Sequence, residues 1–358
     1  MSDRDEGVAA QVVRWQEEHG RNHLPWQNTR DPYRVWLSEV MLQQTQVATV
    51  LDYYARFLVR FPDVQALAEA PQDEVLALWS GLGYYSRARN LHRCAQLVME
   101  RHGGQFPRTV EELSALPGIG RSTAGAIASF CFGVRAPILD ANVRRVLTRV
   151  LGFDADLAVA KNERALWERA EALLPDSDLE HAMPRYTQGL MDLGASICSP
   201  KKPACIVCPL HASCIARRQG NPEAYPVRTR KLSRSAQSWW LLLQQDANGR
   251  LWLQRRPAPG IWAGLYCPPV FESREALESF ASPHSGRLRD LPGFMHVLTH
   301  RDLHLHPVVQ GVGRPALLEA PPVTDDPLPG GWFGPSEWRA LGLPAPVRKL
   351  LEELPPPG

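Results

Sequence analysis

Two acids stand where acids are seldom found. Glu39 lies in Trp36-Leu-Ser-Glu-Val-Met-Leu42, with Leu37, Val40, Met41 and Leu42 around it. A carboxyl short of water ionises reluctantly, so it keeps a proton that it can deliver to a leaving group. The alternative is an ordinary glutamate at the solvent edge of an amphipathic helix, and the local sequence leaves both open. Asp140 lies in Pro137-Ile-Leu-Asp-Ala-Asn142, an apolar run that normally excludes a carboxylate. It caps the helix expected over residues 142–150, or serves as a catalytic anion, and one aspartate can do both.

The other reactive group is sulfur. Cys198, Cys205, Cys208 and Cys214 follow one another with six, two and five residues between them. Four thiols packed so closely in a chain with no export signal point to metal rather than disulfides. Four thiolates suit zinc and iron–sulfur alike. Cys94, Cys131 and Cys267 lack such neighbours and are expected to be packing residues.

These groups need elements to hold them. Asp31-Pro32 opens a helix expected to run from Tyr33 to Ala48, with Glu39, Gln43 and Gln46 on one polar stripe. Thr109 and Glu112 have capping-box spacing, so a short helix should follow and stop before Pro117. Gly118 and Gly120 then permit positive φ, and a second helix should begin near Arg121–Thr123. Helix, glycine hairpin, helix leaves N–H groups and the positive end of a dipole facing one point, which suits a phosphate. An ordinary helix–helix turn is the alternative. Further helices are expected over 8–18, 71–79 and 347–354, and two more between Leu157 and Gly194.

The chain has 358 residues, enough for two or three domains, and its 32 prolines imply long loops and linkers. No apolar run approaches the roughly 20 residues that span a bilayer, and the first residues lack the basic and apolar parts of a signal peptide. The expectation is a cytoplasmic protein with no membrane partner. A formal net charge of +2 excludes a uniformly basic nucleic-acid binder, so any such footprint is local. One candidate is the run containing Lys201, Lys202, Arg217, Arg218, Arg228, Arg230, Lys231 and Arg234, which also reads as a solvated linker. From Ser238 the pattern turns to strands, with 239–244 and 251–254 flanking a hairpin signal at Asp246-Ala-Asn-Gly249.

The hairpin followed by a lone acid resembles the helix-hairpin-helix, Gly/Pro-Asp superfamily of DNA glycosylases, in which the matching aspartate stands beside the scissile bond. Ser38-Glu-Val-Met-Leu-Gln-Gln-Thr-Gln-Val47 resembles the segment that carries the catalytic glutamate of the MutY family of adenine DNA glycosylases. Gly81-Leu-Gly83-Tyr84 resembles that family's turn, where the tyrosine wedges into the base stack. The cysteine spacing matches the 4Fe–4S loop of the endonuclease III and MutY group, which implies one such cluster on Cys198, Cys205, Cys208 and Cys214. Endonuclease III-like members carry a lysine where this chain has Ser122, and neither a hydroxyl nor the guanidinium of Arg144 forms a Schiff base. Gly260-Ile-Trp-Ala-Gly264 resembles a segment of Nudix folds, without the acidic magnesium-binding box. The family's Phe-Ser-His recognition loop appears here as Leu298-Thr299-His300, which keeps a hydroxyl and loses an aromatic ring.

The resemblance implies a mainly α N-terminal catalytic unit of two helical lobes plus an α+β Nudix-like C-terminal domain. The expected boundaries are 1–216 (a helical barrel lobe over 29–135, and an iron–sulfur lobe of 1–28 with 136–216), a basic linker over 217–236, and the Nudix-like domain over 237–354. It implies an enzyme, acting as a monomer, that hydrolyses the glycosidic bond of adenine mispaired with 8-oxoguanine or guanine in double-stranded DNA. Glu39 and Asp140 would be catalytic. Trp26, Leu42, Gln188 and Asn142 would form the adenine pocket. Gln44, Thr45, Tyr84, Gly118, Gly120 and Ser122 would contact DNA, and Thr299 with His300 would read 8-oxoguanine. The alternatives are an endonuclease III-like glycosylase for oxidised pyrimidines and a non-catalytic, zinc-stabilised DNA-binding protein.

Overall fold

The computed structural model describes residues 7–229, 234–282, 286–312 and 330–354. The termini of the sequence and Arg230 and Lys231 of the basic run lie outside the described residues. Two compact units emerge: Met1–Ala68 with Asn90–Lys231, and Glu69–Arg89 with Leu232–Gly358. The second thus takes in a stretch that sits, in sequence, among the helices of the first.

The first unit is helical. It opens with α1 (Val8–His19) and α2 (Pro32–Leu42), continues through α3 (Val47–Arg60) and α4 (Val64–Glu69), and the chain then passes through α5 (Gln72–Trp79) of the other unit. After α6 (Ser86–His102) come α7 (Val110–Ser114), α8 (Arg121–Phe132) and α9 (Ala141–Leu151). They are followed by α10 (Ala160–Ala172), α11 (Leu179–Ser196) and the short α12 (Ile215–Arg218). Asp31 caps α2 by accepting the Tyr33 N–H at 2.9 Å, with Pro32 in the first turn. That helix buries Trp36, Leu37 and Met41 and packs on α3 and α8. Around α9, Val143, Val146, Leu147 and Val150 close a core with Leu190 and Leu193 of α11, Leu166 of α10 and Val12 of α1.

One expected helix is in fact two. The helix predicted from Tyr33 to Ala48 stops at Leu42, and α3 begins at Val47. Gln44 between them has φ +58°, a left-handed conformation that no helix accommodates. The polar stripe expected from Glu39, Gln43 and Gln46 therefore does not exist. Gln43 and Gln46 flank a turn, and Glu39 alone stays on α2. The run Gln-Gln-Thr-Gln has no apolar residue at helical spacing to hold another turn against the core.

The second unit is built on a mixed sheet. Its strands are β1 (Ser235–Asp246), β2 (Leu251–Arg255), β3 (Tyr266–Cys267), β4 (Val270–Phe271), β5 (Leu288–Asp290), β6 (Phe294–Val297), β7 (Arg301–Val312) and β8 (Gly330–Phe333). The main order is β3-β2-β1-β7-β5, with β4 on β1, β6 on β7 and β8 on β2. β1 and β7 run parallel in register from Ser235 opposite Arg301 to Asp246 opposite Val312. The hairpin expected at Asp246–Gly249 joins β1 to β2, antiparallel, with Asp246 Oδ1 accepting the N–H groups of Asn248 and Arg250. Three helices, α13 (Arg274–Ala281), α14 (Pro335–Arg339) and α15 (Ala345–Glu352), complete this unit. Its inserted segment is well seated: Tyr85 donates its hydroxyl to Leu343 O at 3.1 Å, and Arg89 Nη1 donates to Ala263 O at 2.7 Å. A side chain at Gly342 would meet Leu76 Cβ at 2.6 Å, so that approach requires glycine. Among the described residues no helix is long and apolar enough to cross a membrane.

Candidate active site and nucleic-acid interface

Glu39 is a strongly perturbed acid of the first unit. Burial pushes its carboxyl up to about 8, and the charge of Asp140 pushes in the same direction. Asp140 is also raised by burial, but other forces oppose that shift. Its Oδ1 accepts the Val143 N–H at 2.7 Å as the N-cap of α9, the Asn142 N–H helps, and Arg145 and Arg144 favour the anion. Nothing comparable favours ionised Glu39. Two carboxyls that feel each other cannot both ionise freely. Burial without a favourable partner thus pushes Glu39 toward keeping its proton, while the N-cap and the two arginines favour charge on Asp140, opposed tendencies of the kind acid-assisted glycosidic cleavage uses.

Glu39 opens onto a cavity of about 550 Å³ whose walls include Trp26, Gln27, Ser38, Phe130, Arg185 and Gln188. Trp26 is buried and meets Tyr54 edge-on, ring centroids 5.3 Å apart. The volume and the aromatic wall suit a planar heterocycle. Of the four residues expected to form a base pocket, Trp26 and Gln188 line it, whereas Leu42 and Asn142 do not. Leu42 ends α2 on the way to the Gln44 turn. Asn142 is held away from the cavity, accepting Arg145 Nη2 at 2.8 Å and packing where Gly194 leaves room for it.

The hairpin follows its sequence with one difference. Thr109 accepts the Glu112 N–H at 3.2 Å, α7 ends at Ser114, and α8 starts at Arg121. Gly118 uses positive φ (+77°), while Gly120 is an extended N-cap at φ −81°. Gly118 is needed twice over, because a Cβ there would sit 2.8 Å from Asn90 Cβ. Gly120 has open space where its Cβ would be, so its value is access to the first-turn N–H groups of α8. Ser122 Oγ accepts the Leu139 N–H at 3.0 Å, tying the start of α8 to the residue before Asp140. Arg144 Nη2 is paired with Glu163 at 2.6 Å. Gln44 is exposed at its left-handed turn, and Thr45 beside it is partly exposed.

The four thiols expected to bind metal surround one apolar cavity with Val146, Leu193, Ile197 and Leu210. Arg149, almost fully buried, donates Nη1 to Cys198 Sγ at 3.2 Å and to Ser199 O at 2.7 Å, and Nη2 to Pro200 O at 3.0 Å. Arg145 donates Nε to Cys198 O at 2.7 Å. Among the described residues no three His, Cys, Asp or Glu side chains are grouped tightly enough to hold a single metal ion. Cys94, Cys131 and Cys267 are buried, with thiols pushed up to about 12, as packing residues are.

In the second unit Tyr84, at φ +47°, shares a short hydroxyl–hydroxyl hydrogen bond with Thr299. Both line a cavity of about 700 Å³ with Trp262, His296, Leu298 and His300. Thr299 and His300 lie in the turn between β6 and β7 rather than in a strand.

Sequence reasoning missed Asp192, Arg21 and Gln27. Asp192 is almost completely buried, accepts Arg21 Nε and Nη2 at 2.7 Å each, and accepts Gln188 Nε2 at 2.8 Å. An acid inside Leu190-Met-Asp-Leu193 is the same signal that singled out Asp140, and was available.

A glycine hairpin, a capped aspartate and a buried glutamate with a raised pKa on a base-sized cavity define a helix-hairpin-helix base-excision glycosylase. Residues 37–172 match the family model of the HhH-GPD superfamily base excision DNA repair protein, and residues 239–353 match that of the NUDIX domain. The adenine DNA glycosylase of Buchnera aphidicola subsp. Acyrthosiphon pisum is 36% identical over 345 residues, covering 95% of each chain. The human adenine DNA glycosylase is 33% identical over 406 residues, covering 95% of this chain and 72% of the human one. A thermostable thymine-DNA glycosylase structure superposes with a TM-score of 0.52 at 30% identity, covering 59% of this chain and 95% of its own. The chain belongs to the adenine DNA glycosylase family, and is an enzyme of base excision repair that hydrolyses N-glycosidic bonds in DNA.

Proposed function

We propose that this chain removes adenine from double-stranded DNA where it is mispaired with 8-oxoguanine or guanine, acting as a monomer in the cytoplasm. The observation that carries the reading is the buried Glu39, its carboxyl pushed up by burial and by the charge of a capped Asp140, on a cavity walled by Trp26 and Gln188. Adenine must leave the stack to reach it. Glu39 protonates the base, at N7, and makes it a leaving group. Asp140 offsets the positive charge that develops on the sugar, and water completes the hydrolysis.

Strand cleavage is not part of this activity. Ser122 offers a hydroxyl already bonded to Leu139 N–H, and Arg144 a guanidinium already paired with Glu163, so neither supplies an amine for a Schiff base. The Tyr84–Thr299 hydroxyl pair supports a reading site for the base opposite adenine, with the Thr299 oxygen as the group that meets 8-oxoguanine. Gln44, Thr45 and the hairpin around Gly118 and Gly120 contact the DNA backbone and the opposite strand.

Cys198, Cys205, Cys208 and Cys214 hold one 4Fe–4S cluster. A single zinc with 2.3 Å bonds would draw the sulfurs to within about 3.8 Å of one another. Four thiols lining one apolar cavity, at the spacing of the family's iron–sulfur loop, support the larger cluster. When bound, the cluster supplies covalent cross-links to a loop that has little core of its own.

The test is single-turnover base release from duplexes carrying adenine opposite 8-oxoguanine, guanine or thymine. Release opposite 8-oxoguanine and guanine but not thymine is expected. Release of oxidised pyrimidines with strand cleavage, and none of adenine, would instead favour an endonuclease III-like activity.

A further inference from the structure

The cavity at Glu39 must tell one purine from another, and its polar groups differ in how firmly their orientation is fixed. An amide side chain carries a donor and an acceptor in nearly the same shape, so its selectivity depends on which end faces the ligand. Gln188 is held from behind by Asp192. Asp192 is almost completely buried, and the Arg21 guanidinium grips it at 2.7 Å while the Arg21 N–H reaches its other oxygen at 3.0 Å. A carboxylate in such a pair only accepts hydrogen bonds. The amide end of Gln188 that faces it must therefore be the NH2, which leaves the carbonyl for the cavity.

Gln27 on the same cavity is fixed the opposite way. Its Oε1 accepts the Leu24 N–H at 3.2 Å, and a backbone N–H can only donate. Its Nε2 remains buried without a partner. The cavity is thus lined by one committed acceptor, from Gln188, and by a Gln27 amide whose carbonyl is already spent on backbone. Adenine presents an amine donor beside a ring-nitrogen acceptor. A 6-oxopurine presents the reverse.

We propose that Asp192, clamped by Arg21, is a positioning residue that fixes the Gln188 amide so that the site accepts a 6-aminopurine and rejects a 6-oxopurine. This deepens the adenine reading above and rests on it. Asp192 touches no base itself, and its effect passes through the orientation of Gln188.

The experiment compares single-turnover release of adenine and hypoxanthine, each opposite guanine, by the full chain and three variants. Arg21 and Gln188 share one oxygen of Asp192, so Asp192→Leu removes the acceptor that holds the Gln188 NH2, and the amide is free to reverse. The adenine-to-hypoxanthine preference should fall about ten-fold or more, the order of effect of one reversed hydrogen bond in a buried site. In Asp192→Leu with Gln188→Glu, the carboxylate presents an oxygen to the cavity whichever way it turns and restores a partner for Arg21, so the adenine preference should return. Gln188→Met leaves the Arg21–Asp192 pair intact and keeps the test alive should the Asp192 variants misfold. It should lose the preference with little change in melting temperature.

A wild-type preference retained in Asp192→Leu or in Gln188→Met overturns the proposal. So does a folded double variant no more selective than the single one. Failure of the underlying reading looks different, because the wild-type chain would then release no adenine at all.

Discussion

The lone proton at Glu39 is the smallest feature on which activity depends, and its titration has a definite sign. The folded carboxyl titrates near 8, above its ordinary 4.5. The acid is therefore competent below that range and is lost as pH rises through it. The single-turnover rate should be level under neutral conditions and fall above pH about 8. Stability follows the same direction: the raised group favours the folded state fully below about 4.5 and loses that contribution as pH rises to about 8. Glu39→Gln keeps the shape and removes both effects. Base release should drop by at least roughly 10²- to 10⁴-fold, mismatched duplex should still bind, and the variant should melt higher than the wild type at alkaline pH. A variant retaining most of the single-turnover rate would show that Glu39 is not the acid. Asp140→Asn should also cripple release, since an amide carries no charge to set against the sugar. Much of this was legible in advance, because an acid among Leu, Val and Met is conspicuous in one dimension. What was not legible is that Asp140 and Glu39 feel each other, because about a hundred residues separate them and only the packing of α2 on α8, and of α8 and α9 on α11, brings them near.

Among the elements, the hairpin offers the cleanest contrast. Its two glycines look interchangeable in sequence and are not. Gly118→Ala forces a side chain into left-handed backbone and against Asn90, so it should cost about 1–2 kcal/mol or more in stability and weaken DNA affinity. Gly120→Ala meets neither obstacle and should fold as the wild type does. Thermal melts of the two variants decide the matter, and equal losses would contradict this account. The boundaries of α7, α8 and α9 follow their capping residues closely, because Thr109 and Asp140 announce helix starts in the chemistry of their own side chains. The end of α2 was missed for the converse reason. Glutamine is an acceptable helix residue, and nothing local says that Gln44 adopts positive φ. The thiol loop belongs at this scale too. Purified protein should carry iron and acid-labile sulfide, and Cys198→Ser should lose the loop's order and with it DNA binding. A fully active preparation with stoichiometric zinc and no iron would rule the cluster out.

For the whole molecule, the informative feature is the composition of the second unit. Glu69–Arg89 groups with the C-terminal sheet through Leu76, Tyr85 and Arg89, and Tyr84 meets Thr299 there. No periodicity or composition signals such a partnership, since these hydrogen-bonded residues lie from 174 to 258 positions apart. Thr299→Ala should leave release of adenine opposite guanine nearly intact while reducing the preference for 8-oxoguanine, and Thr299→Ser should be almost neutral because the hydroxyl survives. Tyr84→Phe removes the partner of that hydroxyl and should reproduce part of the loss. If both variants keep the full preference when the two opposite bases are compared, the loop has been misread.

The cap on α9 has a kinematic consequence. One oxygen of Asp140 is committed to the Val143 N–H at 2.7 Å, and the backbone just before it is moored to Ser122. The carboxylate is thus anchored on both sides and has almost no freedom to pursue a ligand. Its direction is set by the helix rather than by a freely rotating side chain. In any encounter with DNA the travelling must be done by the nucleotide, which swings out and comes to rest against a fixed charge.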